Sequence, residues 1–173
     1  MSVRVVIADD HPLSRTGVRE FLQMEDQIEV VGEAADGQEL LALLERCPAD
    51  VALIDTRMPN MGGLEAALRI RERFPQVKVL MLSAFDDRDI VIGALDAGAR
   101  GYILKDRDAH QLIEAILAVV DGQVVVDPNV VVHLEDFEDI LGRNFRQPEE
   151  GLGFDNSPVA HMWRTLMWPT RFL

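Results

Sequence analysis

Cysteine is nearly absent from the chain. Cys47 stands alone, so no intrachain disulfide is available, and a cytoplasmic location is the expectation that follows. Positive charge is also short: 17 Lys and Arg against 30 Asp and Glu leave a formal net charge of −13. That balance argues against a broad electrostatic footprint on DNA or anionic lipid, while leaving room for a small basic surface. No apolar run approaches the roughly twenty residues that span a bilayer. Arg4 and the Asp9-Asp10 pair interrupt any signal-like apolar core, so no membrane association is expected. Aromatics are few, and both tryptophans, Trp163 and Trp168, fall in the final stretch. What is plentiful is aliphatic: apolar residues make up 48% of 173 positions, enough for a real core and too many for a disordered chain. The length suits one ordinary domain plus an appendage.

Short apolar runs alternate with helical patterns five times. Val3–Ala8, Ile28–Ala34, Val51–Ile54, Val77–Leu82 and Ala99–Leu104 have the length and β-branched content of buried parallel strands. Helical patterns follow each: one with Pro12 in its first turn, then Gln38–Arg46, one carrying Leu64, Leu68 and Ile70, another after Ser83, and a last from about Asp108 to Val120. The expected fold is α/β, a doubly wound five-stranded parallel sheet with helices on both faces. Past Asp121-Gly122 the character changes. Gln123–Val126 is a short apolar segment, and a helix from Asn129 to about Leu141 would align Val130, Leu134, Phe137 and Leu141 on one stripe. The division expected is a domain over 1–122, a linker helix within 123–142, and a short helical or irregular extension over 143–173.

Four of the strands end in residues suited to phosphoryl chemistry. Asp9 and Asp10 follow the first, Asp55 the third, Ser83 the fourth and Lys105 the fifth. In an open α/β sheet the carboxyl ends of parallel strands share one edge, where ligand sites form. Three carboxylates there repel, each pair about 4 Å apart costing roughly 4 kcal/mol at an effective dielectric near 20. A divalent cation relieves this, and an oxygen-only donor set favours Mg²⁺. Asp9, Asp10 and Asp55 are the candidate ligands, with the backbone carbonyl of Arg57 as a further oxygen. Asp55 is either a plain ligand or a nucleophile that takes a phosphoryl group as an acyl phosphate. Lys105 can pair with Asp55 and then with a phosphoryl oxygen, and Ser83 can donate to another.

Each residue also has a plain structural reading. An Asp pair after a strand commonly caps a helix, Ser83 can cap the next helix, and Lys105 can be a surface residue. Tyr102 reads on its own as a core aromatic, and His11 as a solvent-facing neighbour of the acids rather than a ligand. The four strand ends taken in order weigh against coincidence.

The pattern resembles the receiver domain of bacterial two-component response regulators, over about Val3 to Gly122. Ile-Ala-Asp-Asp-His-Pro, Asp-Gly-Gln-Glu-Leu and Ala-Gly-Ala-Arg-Gly-Tyr-Ile-Leu-Lys resemble the NarL/FixJ-type subfamily of transcription regulators. The resemblance implies a flavodoxin-like receiver fold. It makes Asp55 the phospho-acceptor, with Asp9, Asp10, Asp55 and the Arg57 carbonyl holding Mg²⁺. It also makes Ser83 the switch hydroxyl, Lys105 the conserved-type lysine and Tyr102 the switch aromatic. Pro59, Gly62 and Gly63 match the loop after the acceptor. The implied protein is a phosphorylation-gated switch rather than a turnover enzyme. A sensor histidine kinase is its donor, and a homodimer or a partner protein its output.

Two rivals follow from the same residues. Members of the subfamily usually continue into a basic helix-turn-helix domain. Here no such opening is legible after the Asn129–Leu141 pattern, and the only Lys or Arg from 143 onward are Arg143, Arg146, Arg164 and Arg171. DNA binding is therefore doubtful, and a DNA-binding regulator with a truncated or unrecognised output domain stands as the alternative. The tail reads as a remnant of such a domain or as an interaction segment built on Met162, Trp163, Leu166, Met167, Trp168 and Phe172. A Mg²⁺-dependent phosphatase is the other rival, opposed by Arg57 standing where a second acid would sit two residues past Asp55.

Overall fold

The computed structural model describes residues 1–131 together with 139, 140, 142 and 144. Strands β1 (Val3–Ala8), β2 (Ile28–Ala34), β3 (Val51–Ile54), β4 (Lys78–Ser83), β5 (Gly101–Leu104) and β6 (Val125–Val126) alternate with helices. These are α1 (Pro12–Leu22), α2 (Gly37–Arg46), α3 (Gly63–Arg73), α4 (Arg88–Asp96), α5 (Ala109–Val120) and α6 (Pro128–Val131). The sheet is wholly parallel, in the order β2-β1-β3-β4-β5-β6. The winding reverses beside β1, which puts a crevice between the carboxyl ends of β1 and β3.

The expected five strands are in fact six. Val125–Val126 lies inside the stretch read as linker, and its two residues are too few to show a strand period. It joins β5 by pairing Val125 with Gly101 and Val126 with Tyr102. Of the helix expected over 129–141, α6 supplies the beginning. Residues 132–138 and 141 lie outside the described residues, as does the tail over 143–173 apart from Asn144.

Strand side chains alternate between two cores, as a period of two requires. Val6, Ala8, Ala52, Ile54, Met81 and Tyr102 face the helices α2, α3 and α4, meeting Leu40, Leu44, Ile70, Val91 and Leu95. Val5, Ile7, Leu53, Leu80 and Ile103 face α1 and α5, meeting Leu22, Leu112, Ile113, Ile116 and Val119. Each such valine, leucine, isoleucine or methionine side chain fully withdrawn from water stabilises the fold by about 1.5–3 kcal/mol before the entropy of ordering it is subtracted. Ile140 is buried in the first core, so at least this point of the extension packs against the domain. At the other end of the sheet β2 forms the outer edge. Its pairing with β1 shifts between Val5 and Val6, which skip from Val30 to Gly32 and leave Val31 as an extra residue.

Local chemistry sets the helix starts. Asp36 caps α2 by accepting from the Glu39 backbone N–H at 2.9 Å, while Glu39 Oε2 accepts from Ala35 N at 2.8 Å. Asp108 caps α5 through Gln111 N. The turn into α3 needs a left-handed residue, supplied by Asn60 at φ 61°, whose side-chain amide donates to Asp36 at 2.7 Å. Gly63 opens α3 hard against β3. A Cβ there would stand 2.1 Å from the Asp55 carbonyl oxygen, so only glycine fits.

Candidate functional site

The carboxyl ends of β1, β3 and β5 bring Asp9, Asp10, Asp55 and Lys105 together. Lys105 Nζ donates to Asp9 Oδ2 at 2.8 Å and to Asp55 Oδ2 at 3.0 Å. Asp9 and Asp55 are both buried. The plain reading of the acidic pair as a helix cap fails in its simple form, because α1 is capped by His11 without a side-chain bond. Asp9 instead accepts from His11 N at 2.8 Å and from the Ser14 hydroxyl at 2.6 Å.

Burial pushes the Asp9 carboxyl up, but hydrogen bonds from Lys105, Ser14 and His11 outweigh it and hold Asp9 below the ordinary carboxylate range. Burial likewise pulls the Lys105 ammonium down, and its bonds to Asp9 and Asp55 more than reverse this. Both groups are therefore held charged. One ammonium nevertheless faces three carboxylates, and the balance falls on Asp10. Its Oδ1 is buried without a hydrogen bond, although the exposed His11 side chain brings Nδ1 to 3.0 Å. An anionic oxygen left this way is unfavourable unless a cation answers it. Carboxylate oxygens of Asp9, Asp10 and Asp55, with a nitrogen of His11, lie within 4.8 Å of one another. The hard, oxygen-rich donor set fits Mg²⁺, and the nitrogen of His11 does not improve that fit.

Ser83, the last residue of β4, and Tyr102 in β5 are both fully buried. Ser83 Oγ is 2.8 Å from Thr56 Oγ1 and accepts from Phe85 N at 3.1 Å. The Tyr102 hydroxyl donates to the Phe85 carbonyl at 2.6 Å, from a ring with no exposed surface. Burial pushes the Tyr102 phenol above its ordinary value, the Ser83 hydroxyl opposing and the Asp87, Asp86 and Asp55 carboxylates adding to the rise. Arg57 N approaches Asp55 Oδ1 at 3.3 Å, and its guanidinium lies 3.8 Å from the centre of the Phe85 ring.

Sequence reasoning missed Thr56 and Phe85. A threonine beside an acid and a phenylalanine two residues after a serine carry no spacing signal of their own. It also missed the ion pair of Asp127, a fully buried carboxylate that takes two hydrogen bonds from Arg107, both at 2.6 Å. Asp127 accepts from Asn129 N as well, and its own backbone N–H donates to Tyr102 O at 2.8 Å. The loop that carries Lys105 and the start of the extension are thus joined by one ion pair.

A wholly parallel doubly wound sheet, with acids, a lysine and a buried hydroxyl at the carboxyl ends of its strands, defines an α/β domain with its site at the switch point. The chain belongs to the response regulator receiver domain family, whose profile matches residues 5–117. It is 39% identical over 153 residues to the transcriptional regulatory protein DegU of Brevibacillus brevis, covering 88% of this chain and 64% of the relative. It is 38% identical to the response regulator protein VraR of Staphylococcus aureus, covering 79% of this chain and 65% of that one. The chain therefore spans just under two thirds of the length of these relatives. Among solved structures, the signal receiver domain of the putative response regulator NarL from Mycobacterium tuberculosis superposes with a TM-score of 0.68 at 43% identity. That match covers 70% of this chain and 98% of the other. The isolated receiver domain of RcsB from Salmonella enterica serovar Typhimurium, solved with the phosphomimetic BeF3−, gives a TM-score of 0.72 at 29% identity, covering 78% and 100%.

Proposed function

We propose that this receiver is a phosphorylation-gated switch whose acceptor is Asp55. The observation that carries the reading is the pocket itself: Lys105 bridges Asp9 and Asp55 while Asp10 Oδ1 is buried without a hydrogen bond. The donor is a sensor histidine kinase. A phosphorus–nitrogen bond on its phosphohistidine breaks as an Asp55 carboxylate oxygen forms the new phosphorus–oxygen bond. Asp9, Asp10, Asp55 and the Arg57 carbonyl would hold Mg²⁺, which supplies charge neutralisation on the transferring group. Lys105 is already hydrogen-bonded to the acceptor and passes to a phosphoryl oxygen as Asp55 loses its own charge. Ser83 donates to another phosphoryl oxygen. Tyr102 follows, and the surface around α4 and β5 changes, which controls dimerisation or partner binding. Turnover is not the product of this chemistry; slow self-phosphorylation and dephosphorylation at Asp55 accompany it.

Light scattering of the purified chain with Mg²⁺, with and without beryllofluoride, tests the reading. A monomer-to-dimer shift that vanishes in Asp55→Asn supports it. Retained phosphoryl labelling in Asp55→Asn removes Asp55 as acceptor.

A second output is favoured by the descriptions of the relatives, DegU being a transcriptional regulatory protein and RcsB having been seen as dimers bound to DNA. In that reading the switch governs contact with DNA, against the formal charge of −13. A salt-dependent shift of a promoter fragment supports it, and none at low salt counts against it.

A further inference from the structure

Two buried hydroxyls meet at the carboxyl ends of β3 and β4. Thr56 Oγ1 and Ser83 Oγ are 2.8 Å apart, with Thr56 6% exposed and Ser83 not exposed at all. Thr56 follows Asp55 directly, so one strand end carries both the pocket's carboxylate and the partner of Ser83. From Ser83 the hydrogen bonds continue: Phe85 N donates to Ser83 Oγ, and Phe85 O accepts from Tyr102. Thr56, Ser83, the backbone of Phe85 and Tyr102 form one connected chain.

We infer that Thr56 is a positioning residue that latches Ser83 in the resting state and, through Phe85, sets the resting place of Tyr102. The inference rests on the reading of Asp55 as acceptor and Ser83 as the hydroxyl that answers the phosphoryl group. A hydroxyl has one proton to give. If Ser83 donates to Thr56, it must break that bond before it donates to a phosphoryl oxygen. If Thr56 donates to Ser83, drawing Ser83 toward Asp55 strands the Thr56 proton in a site closed to water. Under either assignment the contact stabilises the resting arrangement and not the phosphorylated one. A stabiliser of one state alone shifts the population toward it.

Thr56→Val removes the hydroxyl and keeps the branched shape. Its affinity for beryllofluoride with Mg²⁺, by titration calorimetry, is expected to rise on the order of threefold to tenfold, the worth of one hydrogen bond lost from the resting state. Tyr102 is the only tyrosine of the chain, so ring labelling gives a single resonance that reports the switch. In Thr56→Val with Mg²⁺ alone that resonance moves toward its beryllofluoride-bound position. Thr56→Ser restores the hydroxyl and returns both readings toward the parent protein. Thr56→Ala provides the same test should the valine variant not fold. Equal or weaker affinity in the hydroxyl-free variant, with the Tyr102 resonance unmoved, overturns the latch while the receiver reading stands. Failure of the parent protein to bind beryllofluoride overturns the receiver reading and the latch with it.

Discussion

Lys105 sits between two carboxylates, and its place depends on the backbone of β3 as much as on its own strand. Asp55 ends β3, and its carbonyl is the atom that a Cβ on residue 63 would strike. Gly63→Ala is therefore expected to displace the acceptor rather than merely crowd a helix. The cost is about 1–3 kcal/mol of stability, read by urea unfolding, together with weakened beryllofluoride binding. Normal affinity in a folded Gly63→Ala protein would show that the approach of α3 does not position Asp55. Asp9, Asp10, Asp55 and Lys105 were legible in the sequence because parallel strands must deliver their last residues to a common edge. Thr56, Phe85 and the Arg107–Asp127 pair were not. Their roles arise from contacts between strand ends and loops, and no periodicity records those. Arg57 was read for its carbonyl, whereas what its side chain does, stacking on Phe85, is a matter of geometry alone.

Among the elements, α2 shows how a single cap serves two structures. Asp36 accepts from Glu39 N inside the helix and from the Asn60 amide across the loop that follows β3. The first of these bonds is the main cause, and together they hold the Asp36 carboxyl below the ordinary range. A carboxyl depressed in the folded state contributes stability that is fully present above its unfolded value, about 3.9, and is lost as pH falls through the lowered folded value. Asp36→Ala is thus expected to cost about 1 kcal/mol at neutral pH and to flatten the acid limb of the stability profile. An unchanged acid limb would mean that the cap does not form in solution. Strand interiors were read well for a related reason, since burial on both faces leaves unbroken aliphatic runs. Their ends were read less well: β4 and β5 start later than expected, and β6 is recognisable only by what it pairs with.

At the scale of the molecule, two cores are separated by one sheet, and the extension is tied to both the sheet and the site. Asp127 is buried and Arg107 only partly so, and the hydrogen bonds that Arg107 donates to Asp127 hold its guanidinium above its usual value. Removing one partner of such a pair strands the other. Arg107→Ala, which leaves the buried Asp127 carboxylate without its counter-charge, is expected to cost about 3 kcal/mol, measured by thermal or urea unfolding. A loss below about 0.5 kcal/mol would place the pair with surface ion pairs of little worth. The interrupted pairing of β2 with β1 carries a different consequence. Among the described residues nothing lies beyond β2, whose seven residues would offer an unpaired row of N–H and C=O groups to any passing strand. The extra Val31 breaks that row's regular spacing, while Glu33 is engaged by Arg15 and Arg19 of α1 and Glu29 is exposed. Two copies meeting edge to edge would oppose misaligned donors and acceptors. The bulge therefore guards the chain against polymerising through its own sheet, and leaves helical faces as the surfaces on which any regulated assembly is built.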